Sequence, residues 1–180
     1  MLIESQNQKF IRIKSEQFHV DRNSLKNIIE MVEDRSLMVE VGSLAGFSTR
    51  LFSLYFDKVV SVDPYISGYD TTDMNSARQR LEIARDLFTI RFFDDPRVEQ
   101  ISKKSNQAAP MFEDNSIPFV YVDAGHNYEA VRDDLKCWVP KVKKGHFIAG
   151  DDYKWPGVNK AVVEVLPDHV VVQNRWIARI

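Results

Sequence analysis

Short apolar runs that stop at glycine, aspartate or serine recur along this chain, and that pattern leaves few folds open. Leu37–Val41 breaks at Gly42, Val59–Val62 stops at Asp63-Pro64, and further runs cover Val98–Ile101, Ile117–Asp123 and Phe147–Gly150. Runs this short and rich in β-branched residues predict strands. Between them apolar residues fall at helical spacing: Leu25, Ile28, Ile29 and Val32 after the caps Asp21 and Asn23, ending near Asp34; then Leu51, Phe52, Tyr55 and Phe56; then Ala77, Leu81, Ala84 and Phe88; then Val131, Leu135 and Trp138. Strands alternating with helices predict an α/β fold, a parallel sheet with helices on both faces. The end of the chain departs from this. Val170–Val172 and Trp176–Ala178 flank Gln173-Asn174-Arg175, which predicts an antiparallel hairpin with Asn174 in its turn.

At 180 residues the chain is expected to make one domain spanning 1–180, with residues 1–20 as an N-terminal extension. A net charge of -2, with no basic run longer than Lys103-Lys104 or Lys143-Lys144, argues against a nucleic-acid footprint and for a small neutral or weakly charged partner. The single Cys137 has no disulfide partner within the chain and reads as a small apolar residue beside Trp138, so a reducing, cytoplasmic setting is expected. No apolar stretch is long enough for a signal peptide or a membrane span.

In open parallel sheets ligands bind beyond the carboxyl ends of the strands. Glycines at 42 and 46 suit a tight turn with close ligand approach, although the same spacing also describes a plain strand-to-helix turn. Leu44 stands where a dinucleotide cradle needs its middle glycine, which disfavours nicotinamide and flavin dinucleotides. Asp63 follows the second strand 21 residues after Gly42 (63 minus 42), the separation at which an acid holds a ribose diol. After the third strand, Ser105 and Asn106 carry hydrogen-bonding groups suited to an adenine edge, while Ser105 is equally a helix-cap candidate. Asp123 closes one strand and Asp151-Asp152 another. Three converging carboxylates repel one another unless a cation joins them, and an all-oxygen set favours magnesium or manganese. His126, three residues from Asp123, is the candidate general base. His19, His146 and His169 lack a supporting constellation, and Asp133-Asp134 reads as a solvated helix face. Tyr65 and Tyr69, in the 65–74 loop, are candidate lid residues, and Tyr128, Tyr153 and Trp155 are candidates for a substrate pocket.

Glu40-x-Gly42-x-x-x-Gly46-x-Ser48, then Asp63, Asp123-x-x-His126-x-Tyr128 and Gly150-Asp151-Asp152-Tyr153, in this order, resemble the class I S-adenosylmethionine-dependent methyltransferases. Within that superfamily the chain is most similar to the metal-dependent O-methyltransferase branch that contains macrolide and aminocoumarin sugar methyltransferases; catechol O-methyltransferase is a more distant relative. The resemblance spans Val39 to Tyr153 and extends to the terminal hairpin. It implies a Rossmann-like, doubly wound, mostly parallel seven-stranded sheet closed by an antiparallel hairpin. It also implies that Glu40, Gly42, Ser43, Gly46 and Ser48 border the methionine part of S-adenosylmethionine, that Asp63 holds the ribose, and that Ser105 and Asn106 approach the adenine. Asp123, Asp151 and Asp152 match the metal ligands, with Asp123 also at the cofactor, and His126 stands near the acceptor hydroxyl. The implied activity is metal-assisted O-methyl transfer to a small polyhydroxylated acceptor, and a homo-oligomer is among the expectations. A cofactor-binding partner subunit without turnover, and a metal-dependent sugar- or antibiotic-modifying enzyme of other chemistry, are the alternative expectations.

Overall fold

The strands are β1 (Met38–Val41), β2 (Val59–Val62), β3 (Val98–Ile101), β4 (Ile117–Val122), β5 (Val142–Gly150), β6 (Val170–Val172) and β7 (Arg175–Arg179). In the computed structural model, which describes residues 21–68 and 74–180, they form one sheet in the order β3-β2-β1-β4-β5-β7-β6. The first five pair in parallel, and β7 runs antiparallel to both β5 and β6. The expected α/β architecture, mostly parallel and closed by a hairpin, is the one observed. Tyr69 and the whole of the expected 1–20 extension, His19 included, lie outside the described residues.

The helices are α1 (Arg22–Glu30), α2 (Phe47–Phe52), α3 (Arg78–Phe92), α4 (Ser105–Ala108), α5 (Tyr128–Trp138) and α6 (Pro156–Val165). Side chains alternate across a strand, so each run feeds two layers. Val39, Val41, Val60, Val62, Val120 and Val122 share a core with Val131 and Leu135 of α5 and Val158 and Val162 of α6. Met38, Phe119 and Tyr121 face the other way, onto Leu25, Ile28 and Ile29 of α1 and Leu51 and Phe52 of α2. Burial on both faces is why these strands read as continuous apolar runs. Phe52, Phe119 and Tyr121 meet edge-on or tilted, with centroids 5.1–6.3 Å apart, and each such side chain contributes roughly 1.5–3 kcal/mol by leaving water. Helix α1 starts as expected: the Asp21 carboxylate accepts from the N–H groups of Asn23 and Ser24.

Four boundaries differ from the sequence expectation. Helix α1 ends at Glu30, short of Asp34, and α2 ends at Phe52, leaving Tyr55 and Phe56 in the turn beyond it. Strand β5 begins at Val142, before the expected Phe147, and accommodates a register irregularity against β4 with Gly145 at φ 80°. In the hairpin, Val172 pairs with Arg175, so the turn is Gln173-Asn174 alone and Arg175 is a strand residue. Helix α6 was not anticipated. Its apolar residues Val158, Ala161, Val162 and Val165 have helical spacing, but Pro156-Gly157 at its start reads locally as a turn. Among the described residues no helix is long and apolar enough to cross a membrane.

Candidate active site

The strand order reverses between β1 and β4, and there the two chain segments nearly touch. Asp123 N–H donates to the Val41 carbonyl at 2.8 Å. A Cβ on Gly42 would stand 2.1 Å from the Asp123 carbonyl oxygen, and Gly42 has φ 89°. Only glycine fits: the position serves close approach of backbone to backbone. A cleft of about 1200 Å³ opens at this point across the carboxyl ends of β1, β2, β4 and β5 and the start of β7.

At the β1 end, Ser43 and Ser48 line the cleft, but Glu40 and Gly46 do not. Glu40 shares the inward face of Met38, is fully buried, and accepts hydrogen bonds from Ser48 Oγ and Thr49 Oγ1 in the first turn of α2. Burial pushes its carboxyl up to about 7, those hydroxyls pull it down, and Asp63 adds to the rise. It lies behind the cleft lining, where it ties α2 to β1. Gly46, at φ 75°, faces the rings of Phe88 and Phe92. Thr49, unmarked in the sequence reading, completes the Glu40 anchor.

Asp63 lies in the cleft wall at the end of β2. Its carboxylate accepts from Leu44 N–H at 2.9 Å and Tyr65 N–H at 2.8 Å, one on each oxygen. Burial pushes it up against those hydrogen bonds. The bonds hold Leu44 at φ 47° and Tyr65 at φ 50°. The Tyr65 hydroxyl donates to the Leu44 carbonyl at 2.8 Å and accepts from Gln100 at 3.0 Å. Tyr65 is thus tied beneath Leu44 and does not line the cleft; Ile66, half exposed, faces the cleft beside it.

Beyond β3, Ser105 and Asn106 line the cleft as expected. Ser105 is the first residue of α4, with Lys104 at the cap position, and its hydroxyl accepts from Trp138 Nε1–H at 2.8 Å. Asp134 belongs to the same corner. It lines the cleft, and burial pushes its carboxyl up to about 6 against a hydrogen bond with Ser105. The solvated-face reading holds for Asp133, which is exposed and pairs with Arg132, and fails for Asp134, which the turn of α5 directs toward α4.

The acidic centre forms where β4 and β5 end side by side. Asp123, His126 and Asp152 offer ligand atoms that all lie within 4.8 Å of one another. His126 Nε2 stands 3.0 Å from Asp152 Oδ2, and Asn174 donates to the other oxygen at 3.2 Å. Burial, and then repulsion from Asp151 and Asp152, pushes the Asp123 carboxyl well above the usual carboxylate range. Burial acts on Asp152 in the same sense, but His126, Asn174 and Arg175 outweigh it and hold Asp152 below its ordinary value. Asp151, expected alongside, is not in this cluster. Its Oδ2 is 2.7 Å from Arg175 Nη2, and its Oδ1 accepts the Asp152 N–H at 2.8 Å. A half-buried carboxylate has turned to the nearest fixed cation, which the sequence reading had placed in a turn.

Trp155 lines the cleft with its ring 4.7 Å from that of His126. Tyr128 instead reaches Glu164 at 2.5 Å, and Tyr153 bonds His169 at 2.7 Å against the core, so neither lines the cleft.

A family described as "Methyltransferase domain" matches residues 39–153, the stretch that carries Gly42, Asp63, Ser105, Asn106, Asp123, His126, Asp151 and Asp152, while Trp155, Asn174 and Arg175 follow it. The chain belongs to that methyltransferase family. This methyltransferase is 26% identical over 163 residues to an uncharacterized protein of Acanthamoeba polyphaga mimivirus, covering 82% of the chain and 69% of that protein. Among solved structures it is similar to a protein from Corynebacterium glutamicum, with TM-score 0.65, 8% identity and coverage of 97% of this chain and 91% of that one. A candidate caffeoyl-CoA O-methyltransferase from Staphylococcus aureus gives TM-score 0.63, 14% identity and coverage of 96% and 91%. A TDP-rhamnose 3'-O-methyltransferase of calicheamicin biosynthesis gives TM-score 0.55, 17% identity and coverage of 98% and 81%. At such identities the structural likeness is one of fold.

Proposed function

We propose that this methyltransferase moves the methyl group of S-adenosylmethionine to a hydroxyl of a small polyhydroxylated, sugar-like acceptor, with magnesium or manganese assisting. The observation that carries the reading is one continuous cleft joining the Gly42 turn and Asp63 to the Asp123–His126–Asp152 cluster. The residues fit the cofactor. The Asp63 carboxylate accepts backbone N–H groups from Leu44, Tyr65 and Ser43 and, with about four acceptor sites on its two oxygens, keeps one for a ribose hydroxyl, and Asn106 presents an amide at the corner suited to adenine. They also fit a divalent ion. Like charges crowd around Asp123, and magnesium is held by one or two carboxylates while keeping its other positions for water or substrate oxygens.

When bound, the sulfonium supplies an electrophilic methyl group and the ion makes a neighbouring acceptor hydroxyl more acidic. Asp123 and Asp152 hold the ion's side of the cleft. His126 would take the hydroxyl proton on Nε2 when Asp152, which that nitrogen meets at 3.0 Å, is held by the ion and Nε2 carries no proton, and Trp155 packs against the imidazole. A small acceptor, not nucleic acid, agrees with the net charge of -2. A sugar-like acceptor draws support from the fold neighbour named for a TDP-rhamnose hydroxyl.

The test is calorimetric titration of S-adenosylhomocysteine into metal-free protein, then of magnesium, in the unaltered protein and in Asp123→Asn and Asp152→Asn. Binding of both, with the magnesium site lost in the variants, is expected. No binding of S-adenosylhomocysteine under any condition overturns the reading. With an accepted acceptor in hand, His126→Gln should slow turnover by about 100- to 10,000-fold while leaving S-adenosylhomocysteine binding in place.

A further inference from the structure

Arg175 opens β7 and is 2% exposed, yet no part of the chemistry above uses it. Its guanidinium spreads donors over three elements. Nη2 meets Asp151 Oδ2 at 2.7 Å, Nε donates to the Tyr121 hydroxyl at 2.9 Å on β4, and Nη1 donates to Ser24 Oγ in the first turn of α1. The Asp21 carboxylate is 4.0 Å away. The Tyr121 hydroxyl itself points at Asp151 Oδ2, 3.4 Å off. Asp151 is thus held on both oxygens, by a cation that does not lose its proton and by the Asp152 N–H. Asp123, His126 and Asp152 are left facing one another.

Resting on the reading that this cluster takes a divalent ion, we infer that Arg175 is a positioning residue: a built-in counter-ion that keeps Asp151 out of the metal's coordination and leaves the ion to Asp123 and Asp152. With Asp151 beside the cluster, three carboxylates stand at these two strand ends, and a single divalent charge does not balance them. The guanidinium neutralises one permanently. The ion then sees a two-carboxylate site, with positions open to acceptor oxygens, instead of a closed three-carboxylate one. Because Ser24 and Tyr121 fix the guanidinium from behind, the arrangement is anchored in α1 and the sheet.

Manganese binding, counted from the free-ion electron paramagnetic resonance signal, tests this in Asp151→Asn, Asp152→Asn, Arg175→Met and the Arg175→Met/Asp151→Asn double variant. Asp152→Asn should weaken binding by more than the roughly 10- to 100-fold that loss of an outer-shell partner costs, whereas Asp151→Asn should stay near the unaltered protein. Arg175→Met should bind manganese about tenfold more tightly, since it frees Asp151 as a ligand, and the double variant should lose that gain. A residue with a merely structural role gives no tightening that depends on Asp151. Loss in Asp151→Asn equal to that in Asp152→Asn overturns the inference, as does weaker binding by an Arg175→Met protein that still unfolds cooperatively. Should Arg175→Met not fold, the Asp151 and Asp152 variants decide between them. Absence of manganese binding in unaltered protein that still binds S-adenosylhomocysteine overturns the metal reading, and this inference with it.

Discussion

Glu40 is fully buried, and its carboxyl is raised from 4.5 to about 7 by that burial. The folded chain therefore keeps a proton there that the unfolded chain has already released. Stability falls as pH rises from about 4.5 to about 7, and the full cost, on the order of 3 kcal/mol, is present above that window. Glu40→Gln retains partners for Ser48 and Thr49 and removes the charge. Urea unfolding from pH 4 to 8 should show the variant matching the parent near pH 4 and exceeding its stability at pH 8; a constant offset across the range would refute the account. Asp63 takes a different test. Its oxygens organise the Leu44 and Tyr65 amides as well as facing the cleft, so Asp63→Asn should weaken S-adenosylhomocysteine binding and also loosen that turn.

At the scale of elements, the first turn of α6 presses on the loop between β4 and α5: a Cβ on Gly157 would lie 2.4 Å from the His126 carbonyl and 2.7 Å from the Tyr128 nitrogen. Gly157→Ala must push that loop, and a cost of about 1–3 kcal/mol is expected from overpacking. Thermal unfolding measures the cost, and the His126 ring resonances report whether the imidazole has moved. A variant with parental stability and unshifted resonances would show that the contact is slack. This helix also marks where the sequence stopped being readable. Its Pro-Gly start carries a turn signal, and packing against α5 overrides that signal. The carboxylates at the ends of β4 and β5 were legible because strand ends in a parallel sheet meet the same cleft, whichever side chains intervene. Arg175 was not, since its partners Ser24, Tyr121 and Asp151 lie 151, 54 and 24 residues away and no local pattern encodes them. The anchoring of Glu40 was hidden for another reason: period-two alternation puts it on the face of Met38, under α2, while the motif alone points to the cleft.

For the whole molecule, the cleft joins the loops after β1, β2 and β3 with those after β4 and β5, so a ligand filling it links segments far apart in the chain. S-adenosylhomocysteine at 100 times its dissociation constant should stabilise the fold by about 2.7 kcal/mol and raise the melting temperature by roughly 5–10 °C. A thermal melt unmoved by saturating ligand would contradict binding at this site.

Of the three tryptophans, Trp138 and Trp176 are sealed in the core, and Trp155 stands 37% exposed against His126. The protein consequently carries its own optical reporter. The fraction of its emission that an aqueous quencher such as acrylamide can extinguish comes chiefly from the cleft mouth, so shielding of that fraction on adding acceptor or cofactor reads occupancy without any label.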